Sequence, residues 1–151
     1  MKLREQMPEL NGATEWLNGE LNKSDLIGEK PTLFHFWSIS CGLCKEAMPQ
    51  VNEFRDAYKD KLNVVAVHMP RSEKDLDLEE IKAVAAEHDI SQPIFVDSDH
   101  KLTDAFENQY VPAYYVFDAE GKLRHFQAGG SGMKMLTKRV NRVLEENEKS
   151  E

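Results

Sequence analysis

The chain is poor in cysteine: Cys41 and Cys44 are its only two. Two cysteines cannot build a disulfide scaffold, and a domain of 151 residues buries enough apolar surface to need no such staple. No apolar run approaches the roughly 18–20 residues that span a bilayer. A basic excess is missing too. The 27 acidic residues outnumber 19 basic ones for a net charge of −8, which argues against nucleic acid or a membrane surface as a partner. Internal repeats, low-complexity tracts and linkers rich in Gly, Ser or Pro are also missing, so one domain over residues 1–151 is expected, with loose ends at 1–12 and 146–151. The opening MKLREQMPELNG lacks the apolar stretch of a secretory signal. The expectation is a cytoplasmic protein, where a close cysteine pair is more often catalytic or metal-binding than structural.

What is present is an alternation of short apolar runs and amphipathic stretches. PTLFHFW (31–37), NVVAVHM (63–69) and PIFVD (93–97) read as strands buried on both faces. From Cys44, the residues Ala47, Val51, Phe54 and Tyr58 recur at helical spacing, with Pro49 expected to kink that helix. DLEEIKAVAAEHD predicts a second helix, with Leu78, Ile81, Val84, Ala85 and His88 on one stripe, and KLTDAFEN a short third. AYYVFD and KLRHFQA form a hairpin turning at Gly121. Ser131 is placed to cap a final helix with Met133, Leu136, Val140, Val143 and Leu144 inward. Ahead of all this, residues 13–30 suggest a small hairpin and one helical turn. The order βαβαβαββα calls for an α/β fold with a parallel core and antiparallel additions. Ligand chemistry in such sheets gathers beyond the carboxyl ends of the strands. The first of these strands delivers Cys41 there, and the next delivers HMPRS, including Arg71.

A cysteine at the first residues of a helix meets unpaired N–H groups and the positive end of the helix dipole. Its thiol pKa falls from about 8.5 toward neutrality. The thiolate of Cys41 can then attack a disulfide, and Cys44, one turn on, can resolve the mixed disulfide. Cys41 is expected to be the exposed partner and Cys44 the less exposed one. Other readings stay open on residues alone. Zinc needs four ligands, but no second cysteine pair exists, and His35, His68, His88, His100 and His125 are scattered. Haem attachment needs a histidine after the second cysteine, where Lys45 stands. Two inert buried thiols are the plain alternative. DSDH (97–100) lacks the glycine and glutamate of a calcium loop. GGSG (129–132) lacks the lysine of a phosphate loop and reads as a lead-in to the last helix. RSEKDLDLEE reads as a solvated loop and helix start.

The segment FHFWSISCGLCKEAMP resembles the active-site stretch of thioredoxin-fold thiol–disulfide oxidoreductases, and is most similar to the soluble branch of the ResA/TlpA-like group. SDLIGEKPTLFHFW, VVAVHMP, PIFVDSD and VPAYYVFDAEGKLRHFQAGG extend the resemblance over nearly the whole chain. It implies a thioredoxin-like fold, with a central mixed sheet flanked by helices on both faces and a short N-terminal extension. It also implies a redox-active Cys41–Cys44 pair that needs no metal and no other cofactor. Val111–Pro112 stands at the place of the family's cis-proline. The implied substrate groove comprises Trp37, Gly42, Leu43, Val111, Pro112 and Gly129, with Gly130 alongside and Trp37 beneath the active loop.

Departures from that pattern mark where this chain differs. Ser40 and Leu43 replace the tryptophan and proline of Trp-Cys-Gly-Pro-Cys, and Leu43 brings a backbone N–H that proline lacks, so a stronger thiolate and a less reducing pair than thioredoxin's are expected. His35 stands where thioredoxins carry a buried aspartate. Ala47 stands where ResA-like proteins often carry a glutamate, while Glu46 is turned by about 100° toward water. His35 is therefore the candidate proton acceptor or pKa modulator for the pair, against the alternative of a core histidine held by hydrogen bonding. The expected function is a monomeric cytoplasmic reductase of protein disulfides, regenerated by an unidentified electron donor. The rivals are a thiol peroxidase, for which the Pro-x-x-x-Thr-x-x-Cys pattern is missing, and a copper- or zinc-carrying module.

Overall fold

The computed structural model describes residues 1–150. Six strands form one sheet: β1 (Glu15–Leu17), β2 (Thr32–Trp37), β3 (Asn63–His68), β4 (Ile94–Val96), β5 (Ala113–Phe117) and β6 (Leu123–Ala128). Their order across the sheet is β1-β4-β3-β2-β5-β6. The central β2, β3 and β4 run parallel, while β1, β5 and β6 add antiparallel neighbours. The parallel core follows from helical crossovers: α1 (Gly42–Ala57) returns β2 to β3, and α2 (Leu78–Glu87) returns β3 to β4. α3 (Lys101–Phe106) and α4 (Met133–Lys149) complete the elements.

Alternation along β2 divides the core. Leu33 and Trp37 face the layer of α1, α2 and α4, meeting Met48, Val51, Ile81, Leu136 and Val140. Phe34 and Phe36 face the other side. There Phe106 of α3 packs its edge against both, with ring centroids 5.2 Å apart, and against Tyr115 at 4.9 Å. Both faces of β2 are covered, which is why its sequence is nearly all apolar.

Three expectations are corrected. β1 forms no hairpin with its neighbours in sequence; it pairs with β4, Glu15 opposite Val96, and caps that edge of the sheet. Residues 1–12 are laid along the sheet rather than loose. Gln6 bridges Lys122, the Met7 amide donates to the Gly121 carbonyl, and Met7 and Leu10 are buried in the aromatic core. Gly121 is required there, because its φ is +85° and a Cβ would run into Ile27 and Gln6. Ser131 does not cap α4. The cap residue is Gly132, whose carbonyl accepts from the Leu136 amide and from Gln127 Nε2 at 2.7 Å.

Candidate active site

Beyond the carboxyl end of β2, the chain makes a three-residue turn and enters α1 with Cys41 as its N-cap. The turn forms because the Cys41 amide donates to the Ser38 carbonyl at 3.1 Å. Cys41 and Cys44 are joined as a disulfide, with Cα atoms 5.3 Å apart. The Cys44 amide donates to Cys41 Sγ at 3.1 Å. That N–H is one of the four a helix start leaves unpaired, and it points at the sulfur on which a thiolate's charge would form. α1 continues through Pro49, which leaves the Lys45 carbonyl without its helical amide partner.

Exposure departs from expectation. Cys41 is as covered as Cys44, at 3% and 2%. In the disulfide both sulfurs turn into the apolar layer with Ile39, Trp37 and Met48.

The surroundings of the pair are apolar and partly open. Leu43, between the two cysteines, is 53% exposed. A Cβ on Gly130 would lie 3.3 Å from Leu43 Cβ and Cδ2, so the glycine lead-in of α4 lies directly against the active loop. The Gly129 amide donates to the Pro112 carbonyl at 2.9 Å and ties that lead-in to the loop before β5. The Val111–Pro112 peptide is cis. Neither Val111 backbone group has a partner among the described residues. Gly42 and Leu43 lie between the two cysteines, and contacts run from Leu43 to Gly130 and from Gly129 to Pro112, whereas Trp37, 1% exposed, is buried and cannot line a surface groove.

His35 is on the face of β2 that carries Trp37, yet its Nε2 lies 2.8 Å from Gln92 Nε2. Arg55 Nη1 donates to Gln92 Oε1 at 2.8 Å. That fixes the amide, so its nitrogen donates to His35 and the imidazole accepts. Burial, reinforced by the Arg55 charge, lowers the His35 pKa to about 3. A ring so reluctant to take a proton is a poor base, and its hydrogen bond goes to Gln92 rather than to either cysteine. The geometry is that of a core histidine held in a polar network.

Four residues around the loop escape a reading by sequence or receive only a hint. His68 ends β3 beside Trp37, ring centroids 5.0 Å apart, and its Nε2 accepts the Ile39 amide at 3.2 Å. Burial lowers its pKa to about 4, against the opposing pull of Asp75. Asp75 is 1% exposed, which corrects the solvated loop expected for that stretch. Its Oδ2 accepts from the Ser40 hydroxyl and from the Arg71 amide, both at 2.8 Å. Arg71 Nη2 donates to the Ser40 carbonyl at 2.7 Å, which bears out its expected closeness to the active edge. A single acid in the charged run SEKDLDLEE carries no sequence mark of burial. Only the fold of the loop after β3, with a 3-10 turn at Glu73–Leu76, turns it inward.

Comparisons with known proteins agree with this geometry. The model of the AhpC/TSA family matches residues 3–126. The chain is 79% identical over 148 residues to the thiol-disulfide oxidoreductase YkuV of Bacillus subtilis (strain 168), covering 98% of this chain and 100% of that protein. A solution structure of a thioredoxin-like protein in its oxidized form, also 79% identical, superposes with a TM-score of 0.90 over 97% of this chain and 99% of that one. A crystal structure of the thioredoxin-like superfamily protein SPOA0173, 23% identical, shares the fold with a TM-score of 0.83 over 92% of this chain and 96% of that one. With a disulfide at the head of α1 in a thioredoxin-like sheet, and relatives at this identity, the chain belongs to the AhpC/TSA family and is a thiol–disulfide oxidoreductase.

Proposed function

We propose that this protein is a cytoplasmic reductase of protein disulfides. The observation that carries the reading is the Cys41–Cys44 pair at the start of α1, with a backbone N–H aimed at Cys41 Sγ and a partly open apolar rim beside it. In the reduced protein the Cys41 thiolate attacks one sulfur of a substrate disulfide. The Cys41–substrate bond forms as the substrate's own bond breaks, and the departing substrate sulfur takes up a proton. Cys44, having lost its proton, then attacks Cys41 Sγ. The intramolecular disulfide closes and the second substrate thiol leaves. Two electrons and two protons pass to the substrate, and an unidentified dithiol donor restores the pair. The dithiol itself carries the electrons, so this cycle calls for no metal and no organic cofactor.

An extended substrate segment fits the unpaired Val111 backbone as a short strand would. Leu43, between the two cysteines, offers apolar contact beside it. The cytoplasmic setting rests on redox poise, since a pair of this kind works as a reductase where thiols are kept reduced. The protein is proposed to act as a monomer.

The test replaces Cys44 by serine and captures partners held on Cys41 as mixed disulfides, alongside insulin reduction by the unaltered protein. Trapped proteins released by dithiothreitol are expected. No trapped partner and no insulin reduction would overturn the reading. Peroxide consumption needing only Cys41 would install the peroxidase instead, and tight copper or zinc binding without disulfide reduction would install a metal carrier. Recovery of the protein outside the cytoplasmic fraction would overturn the location.

A further inference from the structure

The turn that presents Cys41 is held by two buried polar side chains from outside it. His68 accepts the Ile39 amide, and Asp75 accepts the Ser40 hydroxyl. Because Ile39 donates to Nε2, the neutral ring carries its proton on Nδ1. That atom has no hydrogen-bond partner among the described residues, and neither has Asp75 Oδ1. Both are fully buried. Asp75 thus holds a carboxylate with one oxygen engaged and one bare, a single residue behind the nucleophile. Its field already reaches the His68 ring. Arg71 is on the outside and grips Ser40 through its carbonyl and hydroxyl.

We propose that Asp75 is the positioning residue that sets the reducing strength of the Cys41–Cys44 pair, by holding a poorly solvated negative charge against Ser40, behind the Cys41 sulfur. The inference rests on the dithiol cycle proposed above. A negative charge within about 10 Å, in a setting of low polarizability, disfavours the Cys41 thiolate while leaving thiol and disulfide, both neutral, untouched. The reduced form therefore loses the part of its stability that comes from ionisation, and gives up its electrons more readily. Arg71 works in the opposite sense from the solvent side. The other titratable groups on the surrounding elements are Glu73, Lys74 and Asp77 flanking Asp75, His100, whose ring bonds the Pro70 carbonyl, Lys45 and Glu46 on α1, His35 and His68 beneath, and Tyr110 on the loop before β5. Of these, burial keeps His35 and His68 neutral above pH 5.

The test is equilibration with glutathione from pH 6 to pH 9, in which the dithiol loses two electrons and two protons and glutathione disulfide becomes two thiols. Asp75→Asn keeps an acceptor for Ser40 but removes the charge. At pH 9 the equilibrium is expected to move about tenfold toward the dithiol, about 30 mV in the oxidising direction. At pH 6, where both forms of the reduced protein are thiols, the change is expected to fall below twofold. That growth with pH separates charge from structure, since a damaged loop would shift the equilibrium alike at every pH. Ser40→Ala, which keeps the charge and loses the hydroxyl bridge, is expected to stay within threefold of the parent. Arg71→Gln, an exposed change that spares the core, is expected to shift the pH 9 equilibrium the other way, and it decides the matter if Asp75→Asn does not fold. An Asp75→Asn protein with the parent's equilibrium at pH 9, a shift equal at both pH values, or an Arg71→Gln shift in the same direction as Asp75→Asn would overturn the proposal. Failure of the parent to exchange with glutathione at all would instead strike the reductase reading.

Discussion

Replacing His35 by glutamine tests how the buried histidines couple folding to acid. In the folded protein the His35 pKa is about 3 and the His68 pKa about 4, each down from 6.5, and desolvation is the leading cause for both. The unfolded chain takes a proton on each ring as the pH falls through 6.5; the folded chain does not. Stability tied to the neutral rings is therefore whole above 6.5 and is lost as the pH drops, until the folded rings themselves protonate near 3 and 4. The loss is about 1.4 kcal/mol per pH unit for each ring. Between pH 7.5 and pH 5 that is about 2 kcal/mol per histidine, or about 4 for the two. This is a large share of the roughly 5–15 kcal/mol that typically separates folded from unfolded states. His35→Gln keeps a group able to accept from Gln92 but cannot take the proton. Guanidinium unfolding of the oxidised protein, followed by far-ultraviolet circular dichroism at pH 7.5, 6 and 5, reads the difference. The variant's loss between pH 7.5 and 5 is expected to be smaller than the parent's by about 2 kcal/mol, whatever its stability at pH 7.5. Equal losses in the two proteins would refute the assignment of His35 as a neutral, unprotonated ring. The same variant is expected to leave the rate of Cys44 attack on a mixed disulfide unchanged from pH 6 to 9, and a lost or shifted rate profile would restore it as the proton acceptor.

Leu43→Pro removes a backbone N–H in the first turn of α1, where proline fits without breaking the helix. The pair is expected to become more reducing in a glutathione or thioredoxin titration. An unchanged or more oxidising potential would show that the dipeptide between the cysteines does not make this pair less reducing than thioredoxin's. Gly130→Ala places a methyl 3.3 Å from Leu43, which must shift by a few tenths of an ångström toward solvent. Folding stability is expected to stay within about 0.5 kcal/mol, while KM for insulin rises several-fold and the rate with a small disulfide holds. Equal KM values would remove the rim from substrate binding.

The elements and their order were legible because each is written locally. The aromatic run of β2 needs both faces covered, and the 3.6-residue stripes of α1, α2 and α4 need one. The cysteine pair was legible for the same reason, since a spacing of three within a helix start already brings the two side chains together. Where sequence reasoning placed a role on His35, it had only the residue's position on a strand. It could not see that Gln92 and Arg55, 57 and 20 residues away in the chain, would take its ring nitrogen and suppress its charge.

The sequence by itself determined a layered α/β domain with a redox dithiol at a helix tip, because periodicity and near-neighbour chemistry are local properties. Only the tertiary structure decided what surrounds that dithiol. Asp75 sits in a run of exposed charges and nothing beside it in the chain marks it as different. It becomes a buried charge because the loop after β3 folds back over the turn after β2, and parallel pairing of those strands, Trp37 beside His68, brings the two loops to the same edge. Burial and electrostatic field are sums over contacts between segments distant in sequence, so they come into being only when the sheet is assembled.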